Sequence, residues 1–250
     1  MRPIIISIPH ASTAIPEGLD GNVLLTEHDL LGYSDLYTER IFEIPDVYVV
    51  KSNASRVFVD VNRAPDDITQ EYEQGEEGVV VHATWDGKQI YDKEPTVTEI
   101  AGRIKMYHDS FHEEIDSYIP AAQFLIDGHS YLPVGPPLKV DAGKERPDIC
   151  LGNSNFSTCT REHTVFFREF FERHGFSVSI NFPYQGKYTL GRHCHRRRIP
   201  HFLVPGIQIE FNQKLYADSK THLPNEGAIA DLNKLMCKVV DEFAGRFVKA

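Results

Sequence analysis

Short hydrophobic segments alternate with longer amphipathic stretches along the chain, and several of these segments end in polar residues with useful chemistry. Continuous apolar runs of this length are typical of strands that are covered on both faces. The runs at residues 4–8, 57–61, 124–126 and 207–209 lead into Pro9-His10-Ala11-Ser12, Asn62-Arg63, Asp127-Gly128-His129-Ser130 and Glu210, respectively. Because ligands of an open α/β sheet bind outside the carboxyl ends of its strands, these polar residues form a candidate site.

The rest of the pattern predicts further strands and helices that alternate along the chain. We predict strands at 47–50, 56–61, 149–151 and 176–180, and helices at 97–118, 160–174 and 226–247. The first of these helices has apolar residues at steps of three and four, and Thr96 and Glu99 form a capping box before it. The alternation predicts a three-layer α/β fold, and 250 residues fit one large domain or two small ones.

A helix in two pieces is predicted near residue 30. Thr26 is a candidate N-cap, with Asp29 three residues later. Gly32 interrupts this helix and Ser34 restarts it, which would place Asp35 in a first helical turn.

Three stretches lack a regular period and are predicted as irregular segments. Residues 64–94 are rich in Asp, Glu and Gly, and we predict an excursion or lid that carries Trp85 and a short hairpin at Asp86-Gly87. Residues 131–147 carry Pro133, Pro136, Pro137 and Gly143 and are predicted as a loop, as are the polar residues 181–201.

Net charge, the length of the apolar runs and the cysteine spacing argue against several classes of protein. The formal charge of −10 argues against a general nucleic-acid binder, although a local group of arginines could still bind a small acidic substrate. No apolar run approaches the roughly 20 residues that span a bilayer, and the chain begins with a strand rather than a signal peptide. We therefore expect a cytoplasmic protein without membrane contact. The four cysteines lack CxxC spacing and are predicted to be free, mostly buried thiols.

Two histidines and a carboxylate could bind a catalytic zinc ion. His10 and His129 each follow a predicted strand, so the sheet could hold them side by side, and Asp35 could supply the carboxylate. A catalytic zinc site uses such ligands and leaves one position open for water. A single histidine is more often a hydrogen-bonded loop or capping residue, but the joint placement favours the metal.

Two further carboxylates have alternative roles. Asp127 could orient a ligand histidine, or it could simply form a turn next to Gly128. Glu210 lies among hydrophobic strand residues, and near an activated water it could act as a general base. Alternatively, strand alternation could place Glu210 on a solvated face of the sheet.

Several arginines could bind an acidic substrate, because a guanidinium group matches a carboxylate with two hydrogen bonds. The odd spacing of Arg56 and Arg63 would place them on opposite faces of an unbroken strand, so Asn62-Arg63 at the strand end is the better candidate. A salt bridge to Asp60 or Asp66 is the alternative.

A basic cluster at 192–198 allows several interpretations. It could be a metal cluster at His193, Cys194 and His195, a phosphate or RNA patch, or a solvated loop, which is the commonest case. Arg192 is a candidate substrate contact, because it follows a segment that begins and ends with glycine, Gly186 to Gly191.

Together, these motifs resemble those of the N-formylglutamate amidohydrolase (N-formylglutamate deformylase) family. The resemblance extends from residue 4 to about residue 216 and depends on the order of several short motifs. They are Ser7-Ile8-Pro9-His10, Ser34-Asp35, Ser55-Arg56, Asp60-Val61-Asn62-Arg63, Tyr107-His108, Asp127-Gly128-His129-Ser130, Asn181-Phe182-Pro183-Tyr184-Gln185-Gly186 and Gln208-Ile209-Glu210. The segment Trp85-Asp86-Gly87 also resembles one found in deformylases.

The resemblance implies a single domain over residues 1–250, with a mixed sheet between helices as in zinc carboxypeptidases. It implies that His10, Asp35 and His129 bind Zn²⁺, and that Glu210 is the general base. It further implies that Asn62 and Arg63 bind a substrate carboxylate with help from Arg56. The expected reaction is hydrolysis of N-formyl-L-glutamate to L-glutamate and formate.

Two other functions stay open from the sequence. The chain could be a carboxypeptidase-like peptidase or another N-acyl amino acid deacylase that uses the same metal. It could also be a non-catalytic binder of phosphate or RNA through Arg192 to Arg198.

Overall fold

A mixed sheet forms the centre of the fold. The computed structural model describes residues 1–17, 22–68, 78–194 and 204–249. The strands in these ranges are β1 (Ile4–Ile8), β2 (Tyr48–Lys51), β3 (Phe124–Tyr131), β4 (Ile149–Gly152), β5 (Val178–Ile180) and β6 (Gly206–Asn212). They make one six-stranded sheet in the order β2-β1-β3-β6-β4-β5.

The strand directions bring the carboxyl ends of four strands to one edge of the sheet. β1 pairs in parallel with β2 and β3, and β3 pairs in parallel with β6. β4 runs antiparallel to β6 and parallel to β5. The register places His129 of β3 directly opposite Glu210 of β6. The mixed α/β sheet predicted from the sequence is therefore confirmed.

Helices cover both faces of the sheet. They are α1 (Glu27–Gly32), α2 (Thr38–Ile41), α3 (Val97–Arg103), α4 (Asp109–Tyr118), α5 (Arg161–Arg173), α6 (Tyr188–His193) and α7 (Glu226–Phe247). One π-helical turn, Ile104–His108, joins α3 to α4, and short 3-10 helices lie at Ile119–Ala121 and Gln213–Leu215. Thr26 and Thr96 both begin helices with capping boxes, as predicted.

Alternate strand residues supply the two main cores, as the period of a strand requires. Ile4, Ile6 and Ile8 of β1 pack in one cluster with the phenylalanines of α5 and the apolar face of α7. Ile5 packs in a second cluster on the other face, with Phe111 of α4 and residues of α6. The fold therefore has the three layers predicted from the alternation of elements.

The predicted strand at 56–61 is wrong. These residues form turns and irregular backbone, and Val57, Phe58 and Val59 are buried in a third cluster beside the sheet. The backbone carbonyls of Val57 and Phe58 accept from side chains instead of a strand partner. Tyr91 Oη donates to the Val57 carbonyl at 2.6 Å, and Arg103 donates to that of Phe58 at 3.1 Å.

Other element boundaries also differ from the prediction. β3 does not end at residue 127 but continues through His129 to Tyr131, so the expected Asp-Gly-His turn is extended backbone. Part of the predicted loop at 181–201 is helix α6, and residues 195–203 lie outside the described ranges. The hairpin at Asp86-Gly87 is present, with an antiparallel bridge between Ala83 and Gln89.

The structure also bears on the predicted thiols and membrane contact. All four cysteines are free, and three of them are buried, as predicted. No helix in the described part of the chain has the length and apolar character that a membrane span requires. The cytoplasmic location stays a prediction.

Replacing Gly128 with alanine should destabilise the fold, because the new Cβ would lie 2.8 Å from the ring of Phe42. We expect the free energy of unfolding to fall by about 1–3 kcal/mol, as for other overpacked cores, and urea denaturation would measure it. The matched control is Gly102→Ala in α3, where an added Cβ meets no atom within 4 Å. Equal unfolding midpoints for the two variants would contradict the close contact at Gly128.

Candidate active site

The three predicted metal ligands lie together at the carboxyl edge of the sheet. His10, Asp35 and His129 are buried, and one ligand atom from each lies within 4.8 Å of the others. His129 Nδ1 is 2.8 Å and His10 Nδ1 is 3.6 Å from the same oxygen, Asp35 Oδ2. The two imidazole rings meet edge to face with centroids 4.9 Å apart. The described residues contain one such group of His, Cys, Asp and Glu side chains, and it is this one.

Asp35 reaches the cluster from a turn and not from the predicted first turn of a helix. α2 begins only at Thr38, because Tyr37 before it has a left-handed backbone with φ of 58°. The Asp35 amide donates to the His10 carbonyl at 3.0 Å. Asp35 Oδ2 accepts from the Ser130 amide at 3.2 Å. Backbone hydrogen bonds to His10 and Ser130 therefore hold Asp35 beside both histidines.

A buried aspartate that the sequence analysis missed orients His10. Asp60 Oδ1 lies 2.7 Å from His10 Nε2. Since a carboxylate only accepts, His10 Nε2 donates to Asp60. Asp60 itself accepts from Arg56 at 3.0 Å and from the Asn62 amide at 2.8 Å. The available sequence signal was an aspartate between Val59 and Val61, but we interpreted it only as a salt-bridge partner.

Asp127 contacts the second histidine, as the orienting role requires. Its Oδ2 is 3.0 Å from His129 Nε2, and its Oδ1 accepts from Ser7 Oγ at 2.7 Å. By the same reasoning, His129 donates from Nε2 to Asp127 and from Nδ1 to Asp35. Both histidines thus present Nδ1 to the centre of the cluster and Nε2 to an outer carboxylate.

The electrostatics of the cluster favour ionised carboxylates. Burial opposes ionisation of Asp35, but the neighbouring imidazoles of His10 and His129 outweigh burial and lower its pKa. Burial also opposes the charge of Asp60, and His10 with the nearby arginines holds its pKa well below the usual range. For His129, burial opposes the charge while Asp127, Asp35 and Glu210 raise its pKa. The cluster is thus rich in negative charge, as a cation site requires.

Glu210 is buried beside these residues and does not occupy a solvated face. It is 4% exposed, lies opposite His129 in the sheet and accepts a hydrogen bond from the Gln208 side chain. Burial raises the pKa of Glu210 to about 8, with Asp35 and Asp127 adding to the shift and His129 opposing it. Its carboxyl group can therefore both hold and release a proton near neutral pH.

The cluster opens into a cavity of about 410 Å³, a size suited to a small molecule. Both Arg56 and Arg63 line this cavity, whereas their spacing on a strand would have allowed only one. Because residues 56–61 are not a strand, the argument from opposite faces does not apply. The further basic residues of the lining are Lys139, Arg146 and Lys187.

Aromatic side chains support Arg56 on one side of the cavity. Its guanidinium carbon lies 5.6 Å from the ring centroid of Tyr33 and 5.5 Å from that of Trp85. These two rings stack with centroids 4.2 Å apart. Trp85 of the 64–94 segment therefore forms part of the wall. Residues 69–77 lie outside the described ranges, and the lid stays a prediction.

Asn62 lies between the cavity and the candidate metal-ligand cluster of His10, Asp35 and His129. Its Oδ1 accepts from the Thr189 amide at 2.9 Å, and its Nδ2 is 3.1 Å from His129 Nε2. The structure thus brings Asn62 and Arg63 to the cavity, as predicted for a carboxylate-binding pair.

Arg146 is a cavity residue that nothing in the local sequence marks. It is held by Asp141 through Nε at 2.6 Å and Nη2 at 3.0 Å. Its guanidinium carbon also lies 5.5 Å and 5.3 Å from the rings of Tyr131 and Tyr184. Asp141 lies in the same loop as Arg146, whereas Tyr184 comes from the segment after β5, so only the fold brings Tyr184 to Arg146.

Arg192 is not among the cavity-lining residues. It lies on α6 and donates to Asp116 at 2.9 Å. Of the predicted basic cluster, residues 195–198 lie outside the described ranges. His193 and Cys194 are buried and belong to no group of three metal-binding side chains among the described residues.

Comparisons with known proteins bear on the family and the fold of this chain. A sequence profile of the N-formylglutamate amidohydrolase family matches residues 2–217. The fold is similar to that of N-formylglutamate amidohydrolase from Ralstonia eutropha JMP134, with a TM-score of 0.83 and 22% identity over 96% of this chain and 93% of that chain. It is also similar to a gene product from Agrobacterium tumefaciens, with a TM-score of 0.70 and 19% identity over 96% of this chain and 91% of that chain. No curated protein matches the chain in sequence.

The two structural similarities are at low sequence identity and bear on the fold alone. The family profile, in contrast, matches most of the chain, residues 2–217. The resemblance recognised from the motifs is confirmed, and the chain belongs to the N-formylglutamate amidohydrolase family.

Proposed function

We propose that this protein is a zinc-dependent amidohydrolase that converts N-formyl-L-glutamate to L-glutamate and formate. The observation that carries the proposal is the buried cluster of His10, Asp35 and His129 beside Glu210, in a cavity lined by basic side chains. Membership of the N-formylglutamate amidohydrolase family supports amide hydrolysis as the reaction.

The donor atoms of the cluster suit a zinc ion. Zinc prefers imidazole nitrogen and carboxylate oxygen, and a catalytic site uses three such ligands. His10 Nδ1 is buried and has no hydrogen-bond partner among the described residues, as expected of a ligand nitrogen. Asp60 and Asp127 hold the opposite nitrogens of the two histidines, an arrangement common around zinc-binding histidines. When bound, zinc would supply Lewis acidity to the formyl carbonyl and to water.

Glu210 would move the proton that the reaction requires. Its carboxylate accepts a proton from the attacking water as the oxygen bonds to the formyl carbon. It then delivers that proton to the amide nitrogen when the carbon–nitrogen bond breaks, which yields formate and the free amine. The hydrogen bond from Gln208 keeps the Glu210 carboxyl group oriented during both transfers.

The basic lining favours a substrate with two carboxylates. Arg56 and Arg63 follow β2, whereas Lys139 and Arg146 belong to the connection from β3 to β4. β2 and β4 lie on opposite sides of β1 and β3 in the sheet, so cations reach the cavity from two sides. N-formyl-L-glutamate has two carboxylates that are ionised at neutral pH. One carboxylate can bind the basic side chains on one side of the cavity, and the second those on the other side.

Removing the metal should abolish formate release, and zinc should restore it. We expect about one zinc per chain in the wild type and none in the double variant His10→Ala/His129→Ala, because two of the three ligands are lost. Metal analysis and a formate assay would measure both quantities before and after treatment with a chelator. Full activity of the metal-free protein would defeat the zinc mechanism.

Glu210→Gln should lower kcat by about 10²–10⁴-fold, because the amide cannot accept the water proton. Zinc content and KM should change little, since the variant keeps the size of the side chain. Glu226→Gln is the control, because Glu226 is an exposed residue at the start of α7. If Glu210→Gln turns over as fast as this control, Glu210 is not the proton carrier.

Arg63→Met should lower kcat/KM for N-formyl-L-glutamate by about 10–100-fold, mainly through KM, because a charged hydrogen bond to the carboxylate is lost. Arg63→Lys should be intermediate, since lysine keeps the charge but not the planar pair of donors. A panel that includes N-acetyl amino acids and dipeptides tests the substrate class. Faster hydrolysis of dipeptides than of N-formyl-L-glutamate would instead favour a peptidase.

A further inference from the structure

Two buried histidines hold the backbone on either side of Asn62. His112 Nε2 lies 2.8 Å from the Val61 carbonyl, and His108 Nε2 lies 2.9 Å from the Arg63 carbonyl. A carbonyl oxygen only accepts, so both imidazoles donate through Nε2. Both side chains are inaccessible to solvent. The segment proposed to bind the substrate carboxylate is therefore anchored from behind, by residues that do not line the cavity.

The hydrogen-bond chain continues from His112 to the protein surface. His112 Nδ1 is 2.9 Å from His193 Nε2 on α6, and His193 Nδ1 is 3.1 Å from Asp116 Oδ1 on α4. The Asp116 side chain is 49% exposed. Asp116, the surface end of this series of hydrogen bonds, can therefore be replaced without disturbing the core.

The donor and acceptor roles in this series of hydrogen bonds follow from the groups at its two ends, the Asp116 carboxylate and the Val61 carbonyl. The Asp116 carboxylate only accepts, so His193 Nδ1 donates. His112 already carries its proton on Nε2, so its neutral ring accepts at Nδ1, and His193 Nε2 must donate as well. His193 therefore carries protons on both nitrogens and is paired with Asp116. Burial, together with the neighbouring His193, lowers the pKa of His112 to about 2, which keeps His112 neutral.

Helix α6 also contacts Asn62 directly. The Thr189 amide donates to Asn62 Oδ1 at 2.9 Å, one helical turn before His193 on α6. The Asn62 side chain is thus held by α6, while the backbone on either side of it is held by His112 of α4, which contacts His193, and by His108 of the π-helical turn. A change at His193 should consequently shift Asn62 and Arg63 relative to the metal-ligand cluster.

We propose that Asp116, His193 and His112 form a positioning relay that fixes Asn62 and Arg63 for binding of the substrate carboxylate. The relay would set substrate affinity and leave the chemical step unchanged, because it contacts neither the metal ligands nor Glu210. This inference rests on the proposed function for the role of Asn62 and Arg63, but the protonation of His193 can be tested without any substrate.

The first test is nitrogen NMR of the protein labelled with ¹⁵N-histidine. The wild type should show an imidazole with both nitrogens protonated at neutral pH that disappears in His193→Ala, which assigns it and distinguishes it from His129. Asp116→Ala should lose that signature, whereas Glu113→Ala, which removes an equal charge from an exposed position on α4, should keep it. A singly protonated His193 in the wild type would overturn the relay.

The second test is steady-state kinetics of the zinc-loaded variants. Asp116→Ala should raise KM for N-formyl-L-glutamate by about 3–10-fold, the size expected for one net hydrogen bond, with kcat within about twofold of wild type. Asp116→Asn should restore KM, because its amide oxygen still accepts from His193, and Glu113→Ala should match the wild type.

A double-variant cycle separates the relay from a general structural effect. Asp116→Ala combined with His193→Ala should raise KM no further than His193→Ala alone, because the two residues act through one chain. An unchanged KM in Asp116→Ala, or a fall in kcat alone, would overturn the positioning role. If the wild type hydrolyses no N-acyl amino acid, the proposed function fails, and the NMR result still decides whether the relay exists.

Discussion

Ionised carboxylates can lie in a protein interior only where cations and N–H donors surround them, and this constraint shapes the carboxyl edge of the sheet. Asp35, Asp60 and Asp127 are at most 2% exposed. Each contacts an imidazole of His10 or His129, and Asp60 also accepts from Arg56. Loss of one partner would leave a buried charge uncompensated, at a cost of about 3–5 kcal/mol. The geometry of the candidate ligands is therefore fixed by mutual pairing within the protein.

The parts of this arrangement that local patterns encode could be predicted from the sequence. β1 is apolar apart from Ser7, so His10 after it could be placed at a strand end and near the site. α7 has a regular apolar face, and its observed bounds, Glu226–Phe247, agree with the prediction. The capping box at Thr96 likewise marks the start of α3 without any knowledge of the tertiary structure.

The parts that depend on distant partners could not be predicted. The apolar run at 57–61 has the composition of a strand, but Tyr91 and Arg103 satisfy its carbonyls from far along the chain. This same departure from a strand lets Arg56 and Arg63 reach one cavity. Arg146 lies at the cavity beside Tyr184, which comes from the segment after β5. Contacts of this kind leave no periodic signal in the sequence.

The apolar core also determines where Glu210 points. In β6, Ile207 and Ile209 pack in the core with α5 and α7, while Gln208 and Glu210 line the cavity. A shift of the β3–β6 register by one residue would exchange these faces. It would place a carboxylate among the phenylalanines of α5, where no cation compensates its charge, and this would cost several kcal/mol. Hydrophobic packing on one face of the sheet thus positions the candidate proton carrier opposite His129 on the other.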